Sequence, residues 1–236
     1  MAFGIWKAER RVRITSSMAG TIAKRRASTQ VTSTVHNMLY TKFSGNEATC
    51  WGLSQERATA SHYMQWKQQH GSPEISVDTD CGLVISVAHP WLAATPDGFV
   101  NDPQVTPAKG LVEFKNPHSC RDLTMMDAVQ SKKLTFLSCT PSGILAIKRS
   151  DKYYYQLQVA MHCTGMKWCD FVVRTCRDVH VERVQYDETF CNSFLPKLKG
   201  FFFNSILPEL NLPMKPIREP AWITNMEEWN KRIDAL

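Results

Sequence analysis

Residues 111 to 117 read LVEFKNP, an apolar run that carries a carboxylate and an ammonium two residues apart. Strand side chains alternate faces, so Glu113 and Lys115 point one way while Val112 and Phe114 point the other. A short distance upstream, residues 94 to 100 read ATPDGFV, another apolar run with a single aspartate, Asp97, between Pro96 and Gly98. If 92–100 and 110–116 pair as strands, Asp97 ends one strand beside Glu113 and Lys115 of the other. Two neighbouring carboxylates repel and are costly to bury unless a cation joins them. Oxygen ligands suit Mg²⁺ or Mn²⁺, and a lysine beside such an ion can orient an attacking water and offset charge building on a phosphoryl group. The plainer alternative is a Glu–Lys ion pair on an exposed strand face, with Asp97 serving only the turn. On these residues alone both readings stand.

At 236 residues, 43% hydrophobic and 21% charged, the chain is long enough to bury a core within one large domain, with or without a tail. The formal net charge of +6 suits a polyanionic partner without demanding one. Its distribution is more telling: Lys7, Arg10, Arg11, Arg13, Lys24, Arg25 and Arg26 crowd the start. The opening MAFGIWKAERR turns basic too early for a secretory signal, and no apolar run reaches the roughly 18 to 20 residues that span a bilayer. The eight cysteines form no C-x-x-C pair, and several lie in apolar runs. A reduced, intracellular protein with no membrane span is expected. A nuclear location fits too, although Lys24-Arg25-Arg26 is too short to mark it.

Helices are expected over 14–26 (entered through Ser16 or Ser17 as N-cap), 31–40 and 47–70. Strand signals follow at 75–79, 82–88, 92–95 and 110–116. After them come a helix near 122–131, a strand at 143–148, a helix at 151–164, and two strands in a hairpin turning at Cys176-Arg177-Asp178. The last helix, 187–210, should break near Pro196, and the Pro-rich text beyond it suggests a tail over 211–236. Helices thus precede, interrupt and follow one central sheet of about five or six strands, an α/β layer arrangement.

The order of short motifs carries a resemblance. P-D followed by E-x-K resembles the PD-(D/E)XK nucleases, whose core is restriction-endonuclease-like. The wider chain resembles their lambda-exonuclease branch, and specifically the YqaJ viral recombinase domain. The likeness runs through W-x3-R-x3-ITSS (6–17), WGLSQE (51–56), TPDG (95–98), VEFKNP (112–117), YYYQLQVAMHCTG (153–165) and KWCDFVVRT (167–175). It implies one nuclease domain over 1–210 with a helical N-terminal part, and a Mg²⁺- or Mn²⁺-dependent exonuclease working on double-stranded DNA from a 5′ end in recombination or repair. By the same resemblance Asp97, Glu113 and the carbonyl of Phe114 are metal ligands, Glu56 approaches the metal, Lys115 is the catalytic lysine, and Gln156 lines the site. Arg10 and Ser17 match residues that hold a 5′ phosphate. A single-strand annealing protein and a homo-oligomer, a trimer, are the implied partners. The stretch ISVAHPWL (85–92) lacks an aspartate that the family's phage exonuclease carries there, which leaves the number of metal ions open.

Some of this can be read without the family. A helical period puts Tyr153, Gln156 and Ala160 on one face, so Gln156 can reach the sheet. Ser17 at a helix N-terminus and Arg10 suit an anion. Rivals remain: His89, His118 and His162 are candidate ligands or bases, whereas Cys120 and Cys163 lack a His–Asp partnership. A non-catalytic DNA-binding relative, or an endonuclease or single-strand nuclease using the same site, would share most of these residues.

Overall fold

The structure, a computed structural model, describes residues 2–26, 28–41 and 45–212. Of the Pro-containing tail expected over 211–236, the residues from 213 onward lie outside the described residues. Helices α1 (Ala2–Arg11), α2 (Ser16–Ala23), α3 (Thr32–Leu39) and α4 (Glu47–Gln69) lead into the sheet region, with β1 (Ile14–Thr15) set between the first two. Strands β2 (Ser76–Asp78), β3 (Val84–Ile85), β4 (Leu92–Ala94), β5 (Gly98–Asn101) and β6 (Lys109–Lys115) follow. A 3-10 turn (His118–Cys120), α5 (Met125–Gln130), β7 (Leu137–Cys139) and β8 (Leu145–Ile147) connect to α6 (Lys152–Thr164). The chain continues through β9 (Trp168–Arg174), β10 (Val179–Gln185), α7 (Glu188–Phe201), a π-helical turn (Phe202–Ile206) and α8 (Leu207–Asn211).

The main sheet has the order β10-β9-β6-β5-β2, in which β6 and β9 run parallel and the other pairs antiparallel. Alternation along β6 and β9 divides the core in two. Leu111, Cys169, Phe171 and Val173 pack with α2, α6 and α7, while Val112, Phe114, Trp168 and Val172 pack with Ala60 and Tyr63 of α4. A buried polar network seals the α4 side. Arg183 pairs with Asp170 through two hydrogen bonds and lies 3.7 Å over the Trp168 ring. Tyr63 donates to Asp170, and Lys67 and Ser72 bind Asp102.

Four expectations need correction. The strands do not form one sheet: β4 pairs with β1 and β3 in a separate three-stranded sheet, and β7 and β8 form a hairpin of their own. Residues 92–100 are therefore not one strand; Asp97 lies between β4 and β5 and leads into the strand that pairs with β6, rather than ending one. The helix expected from residue 14 starts at Ser16 with Thr15 as its N-cap, because Ile14 and Thr15 are drawn into parallel pairing with Leu92 and Ala93. The last helix runs through Pro196 and changes instead at the π-helical turn. Proline removes one N–H from the ladder, and the buried side chains of Cys191, Leu195 and Leu198 on either side hold the helix against the core.

Two backbones approach each other where α2 crosses α6. A Cβ on Gly20 would stand 2.6 Å from the Cα of Lys152, so Gly20→Ala must push the two helices apart, at a cost of about 1–3 kcal/mol. Gly52 of α4 has no such neighbour within 4 Å, and Gly52→Ala should stabilise by up to ~1 kcal/mol through helix propensity. Urea midpoints of the two variants should therefore move in opposite directions; a Gly20→Ala protein as stable as the parent would refute the close approach.

Candidate active site

The Pro96-Asp97-Gly98 turn and strand β6 bring together the residues that the sequence singled out. The backbone N–H of Phe114 donates to Oδ2 of Asp97 at 2.8 Å, which pins the aspartate across the start of β5. Glu113, only 4% exposed, accepts from Nζ of Lys115 at 2.6 Å and from Nε2 of Gln156 at 2.5 Å, both on the same oxygen. The Lys115 ammonium also donates to the Phe114 carbonyl at 3.1 Å, so that carbonyl faces the same space. Helix α6 supplies Gln156 because Asp151 caps it, accepting from the N–H of Tyr153, and Gly165 ends it in the left-handed conformation. Gln158, two residues on, serves the fold instead: its amide donates to the Gln185 carbonyl and accepts from the N–H of Asp187.

Glu56 and Arg10 complete the surroundings through their fields. Burial, and then the nearby charge of Asp97, raise the carboxyl of Glu56, while Lys115 works the other way. Burial lowers the guanidinium of Arg10 from its ordinary value, and Glu113 opposes that shift. Arg10 stacks over Trp6 at 5.0 Å and donates to Oγ of Ser17 at 3.3 Å. Ser17 lies in the first turn of α2 rather than at its cap, and Thr15 Oγ1 stands 3.1 Å from its hydroxyl.

The electrostatics are those of a negative pocket with one firmly held cation. Desolvation, followed by the charge of Asp97, pushes Glu113 up to about 7, with Lys115 resisting. Burial raises Asp97 as well, against Lys115 and the Phe114 N–H. Lys115 is desolvated too, yet Glu113 and Asp97 outweigh that and lift it well above its ordinary value. Among the described residues no three His, Cys, Asp or Glu side chains gather tightly enough to hold a metal ion on their own. A cation placed here would need the Phe114 carbonyl and water or phosphate oxygens as well as the carboxylates.

The histidines are turned elsewhere. His89 Nδ1 lies 3.1 Å from His162 Nε2, and His162 Nδ1 lies 2.9 Å from the Tyr186 hydroxyl. His118 contacts Arg121, Glu47 and the edge of Trp51. The thiol of Cys163 is pushed up to about 12 by burial, and burial also raises Cys120, so neither is a ready nucleophile. Sequence reading missed Thr15 and Thr95. The Thr95 hydroxyl, two residues before Asp97, is buried without a hydrogen-bond partner among the described residues, and no sequence pattern separates such a threonine from one in any β-rich turn.

The YqaJ-like viral recombinase domain family matches the chain over residues 5–167. The chain belongs to this family. No curated protein sequence matches it. Among solved structures, the YqaJ-like chain is similar to an alkaline exonuclease (LHK-Exo) from Laribacter hongkongensis, which has also been solved in complex with dAMP. The TM-score is 0.63 at 21% identity, over 98% of each chain. A phage related exonuclease from Haemophilus somnus 129PT shares the fold at a TM-score of 0.54 and 12% identity, over 84% of this chain and 96% of that one. The YqaJ-like domain thus has the restriction-endonuclease-like α/β fold expected of it.

A linkage prediction follows from Glu113. Between the ordinary carboxylate range and about 7, the folded chain binds the Glu113 proton and the unfolded chain does not. Stability contributed by this group must then fall as pH rises through that window. His162, held below its ordinary value by burial and by His89, gives the opposite slope over part of it. The readout is therefore a difference: in chelator, the urea midpoint of the parent minus that of Glu113→Gln should decline from pH 5 to pH 8. A difference that stays flat or rises would contradict the buried, proton-retaining Glu113.

Proposed function

We propose that this YqaJ-like domain is a metal-dependent deoxyribonuclease that hydrolyses phosphodiester bonds of duplex DNA from a 5′ end. The observation that carries the reading is the pair of largely buried carboxylates, Asp97 and Glu113, sharing the single ammonium of Lys115. Two negative charges against one positive leave the pocket short of a cation, and the donors are all oxygen. That chemistry fits Mg²⁺ or Mn²⁺. Asp97, Glu113 and the Phe114 carbonyl would hold the ion, with Glu56 reaching it through water. Such a metal supplies Lewis-acid polarisation of the phosphate and a more acidic bound water.

The chain's own groups then have separate tasks. Lys115 orients the attacking water and offsets negative charge as the oxygen–phosphorus bond forms. Gln156 fixes the Glu113 carboxylate by donating to it, which leaves the other carboxylate oxygen free for a ligand. The buried Thr95 hydroxyl, lacking a hydrogen-bond partner among the described residues, is a donor for a water or phosphate oxygen. Arg10, Ser17 and the first turn of α2 hold the terminal 5′ phosphate, since Thr15 makes no side-chain cap and leaves helix N–H groups for an anion. Attack by water breaks the bond between phosphorus and the 3′ oxygen, which takes up a proton. The remaining strand is left with a new 5′ phosphate for the same pocket.

Lys115→Ala and Asp97→Asn should each cut turnover on linear duplex by about 100-fold or more while retaining most DNA affinity, and chelator should abolish activity. Full activity in EDTA, or a Lys115→Ala protein as fast as the parent, would remove the proposed chemistry.

End recognition is tested separately with linear duplexes bearing a 5′ phosphate or a 5′ hydroxyl, and with a closed circle. The phosphorylated end should be consumed faster and the circle should persist. Arg10→Ala should erase the preference more than it lowers overall binding, because other basic residues still hold the backbone. Cutting of the circle would favour an endonuclease, and binding without any product would favour a non-catalytic relative. Equal digestion of both ends would dismiss Arg10 and Ser17 while leaving the metal site intact.

A further inference from the structure

Lys115 is held on three sides. Two of its contacts are polar, to Glu113 at 2.6 Å and to the Phe114 carbonyl at 3.1 Å. The third is the face of Tyr153, whose ring centroid lies 5.0 Å from Nζ. That ring is itself fixed. The N–H of Tyr153 is bound by the capping Asp151 at 2.9 Å, and the ring stands edge-on to Phe136 at 5.0 Å and 86°. On its inner side it leans on Phe171 at 6.3 Å, a fully buried residue of β9 that pairs in register with Glu113. Lys152 also brings its ammonium within 5.2 Å of the ring. An aromatic ring with purely apolar duty would bury both faces against hydrocarbon; this one is offered to cations.

A lysine has four rotatable side-chain bonds, and only one of its polar partners here carries a charge. Glu113 is also a proposed ligand of the metal, and an ion bound there would draw on the same carboxylate that steadies the ammonium. The face of an aromatic ring attracts an ammonium through its quadrupole and offers no lone pair in competition for the ion's coordination. We propose that Tyr153 is a positioning residue for Lys115: its ring face fixes the ammonium toward the scissile phosphate, and the ring rather than the hydroxyl does so. The proposal rests on the reading of Lys115 as the catalytic lysine.

The test combines steady-state kinetics on 5′-phosphorylated linear duplex with proton NMR of the metal-free protein. Tyr153→Leu should lower kcat on the order of tenfold with little change in KM, and Tyr153→Phe should restore it. In a Lys115→Ala background, Tyr153→Leu should cause no further loss. The ε-methylene protons of Lys115 should show a ring-current shift in the parent and in Tyr153→Phe that disappears in Tyr153→Leu. Should Tyr153→Leu fail to fold, Tyr153→Met fills the space with a flexible side chain and carries the same expectations.

The two ways of failing are distinguishable. A Lys115→Ala protein as active as the parent overturns the reading of the lysine and this proposal with it. A dead Lys115→Ala beside a fully active Tyr153→Leu overturns only the role given to Tyr153. So does an equal loss from Tyr153→Leu whether or not Lys115 is present, because that marks a purely structural ring.

Discussion

The site is governed by the cost of withdrawing two carboxylates from water with only one ammonium between them. Desolvation disfavours the charged form of each, and their mutual repulsion adds to it, which is why Glu113 is pushed up to about 7. Lys115 moves the opposite way because the two acids outweigh its own desolvation. The surroundings answer the same imbalance. Helix α6 contributes an amide from Gln156 and a ring face from Tyr153, and α1 brings the field of Arg10. The amide and the ring face carry no net charge, and the deficit that remains is the ground for the cation proposed there.

The opposite face of the same sheet shows what a closed version looks like. Asp170 and Asp102 are as deeply buried as Glu113, at 1% and 0% exposed. There, however, Arg183 and Lys67 supply two positive charges, and the hydroxyls of Tyr63 and Ser72 complete the oxygens. Although desolvation works against it, Asp102 is held below its ordinary range by Lys67 and Ser72. Buried acids alone therefore do not mark a functional centre. What separates the two clusters is whether charge and hydrogen bonds close among the described residues: on the α4 side they do, and beside α6 they do not.

That distinction bears on how much of the molecule can be read from its sequence. The two-residue period of LVEFKNP states correctly that Glu113 and Lys115 share a face, and the helical period puts Gln156 where it meets them. Helix α4 follows its N-cap Asn46 and stops at the His70–Gly71 turn, both local signals. Asp170 in WCDFVV looks no less catalytic than Glu113 in LVEFKNP, because the partners that close its network come from α4 and β10, distant in the chain. Pairing between distant segments also decides what periodicity cannot. Thr15 becomes a cap because Ile14 and Thr15 join β4, and the apolar text from 92 to 100 splits between two sheets at Asp97. Thr95 and Tyr153 gain their interest only from what does or does not surround them.

The split between sheets has a consequence for substrate geometry. Asp97 sits on the junction, with the small sheet before it and the large sheet after it, and the small sheet begins with β1, which runs directly into α2 and Ser17. The residues proposed to hold a terminal phosphate and those proposed to hold the metal are thus joined by strand pairing from Thr15 through Ala93, a few residues from Asp97. The near-contact of Gly20 with Lys152 makes a second connection, from α2 to the helix that carries Gln156 and Tyr153. Two independent struts fix the separation of the two proposed subsites in a way that loops alone would not. A fixed separation is what removal of a constant unit from a strand end requires. On the 5′-end reading proposed above, each cut would regenerate a 5′ phosphate at the distance from the next scissile bond that the preceding cut used.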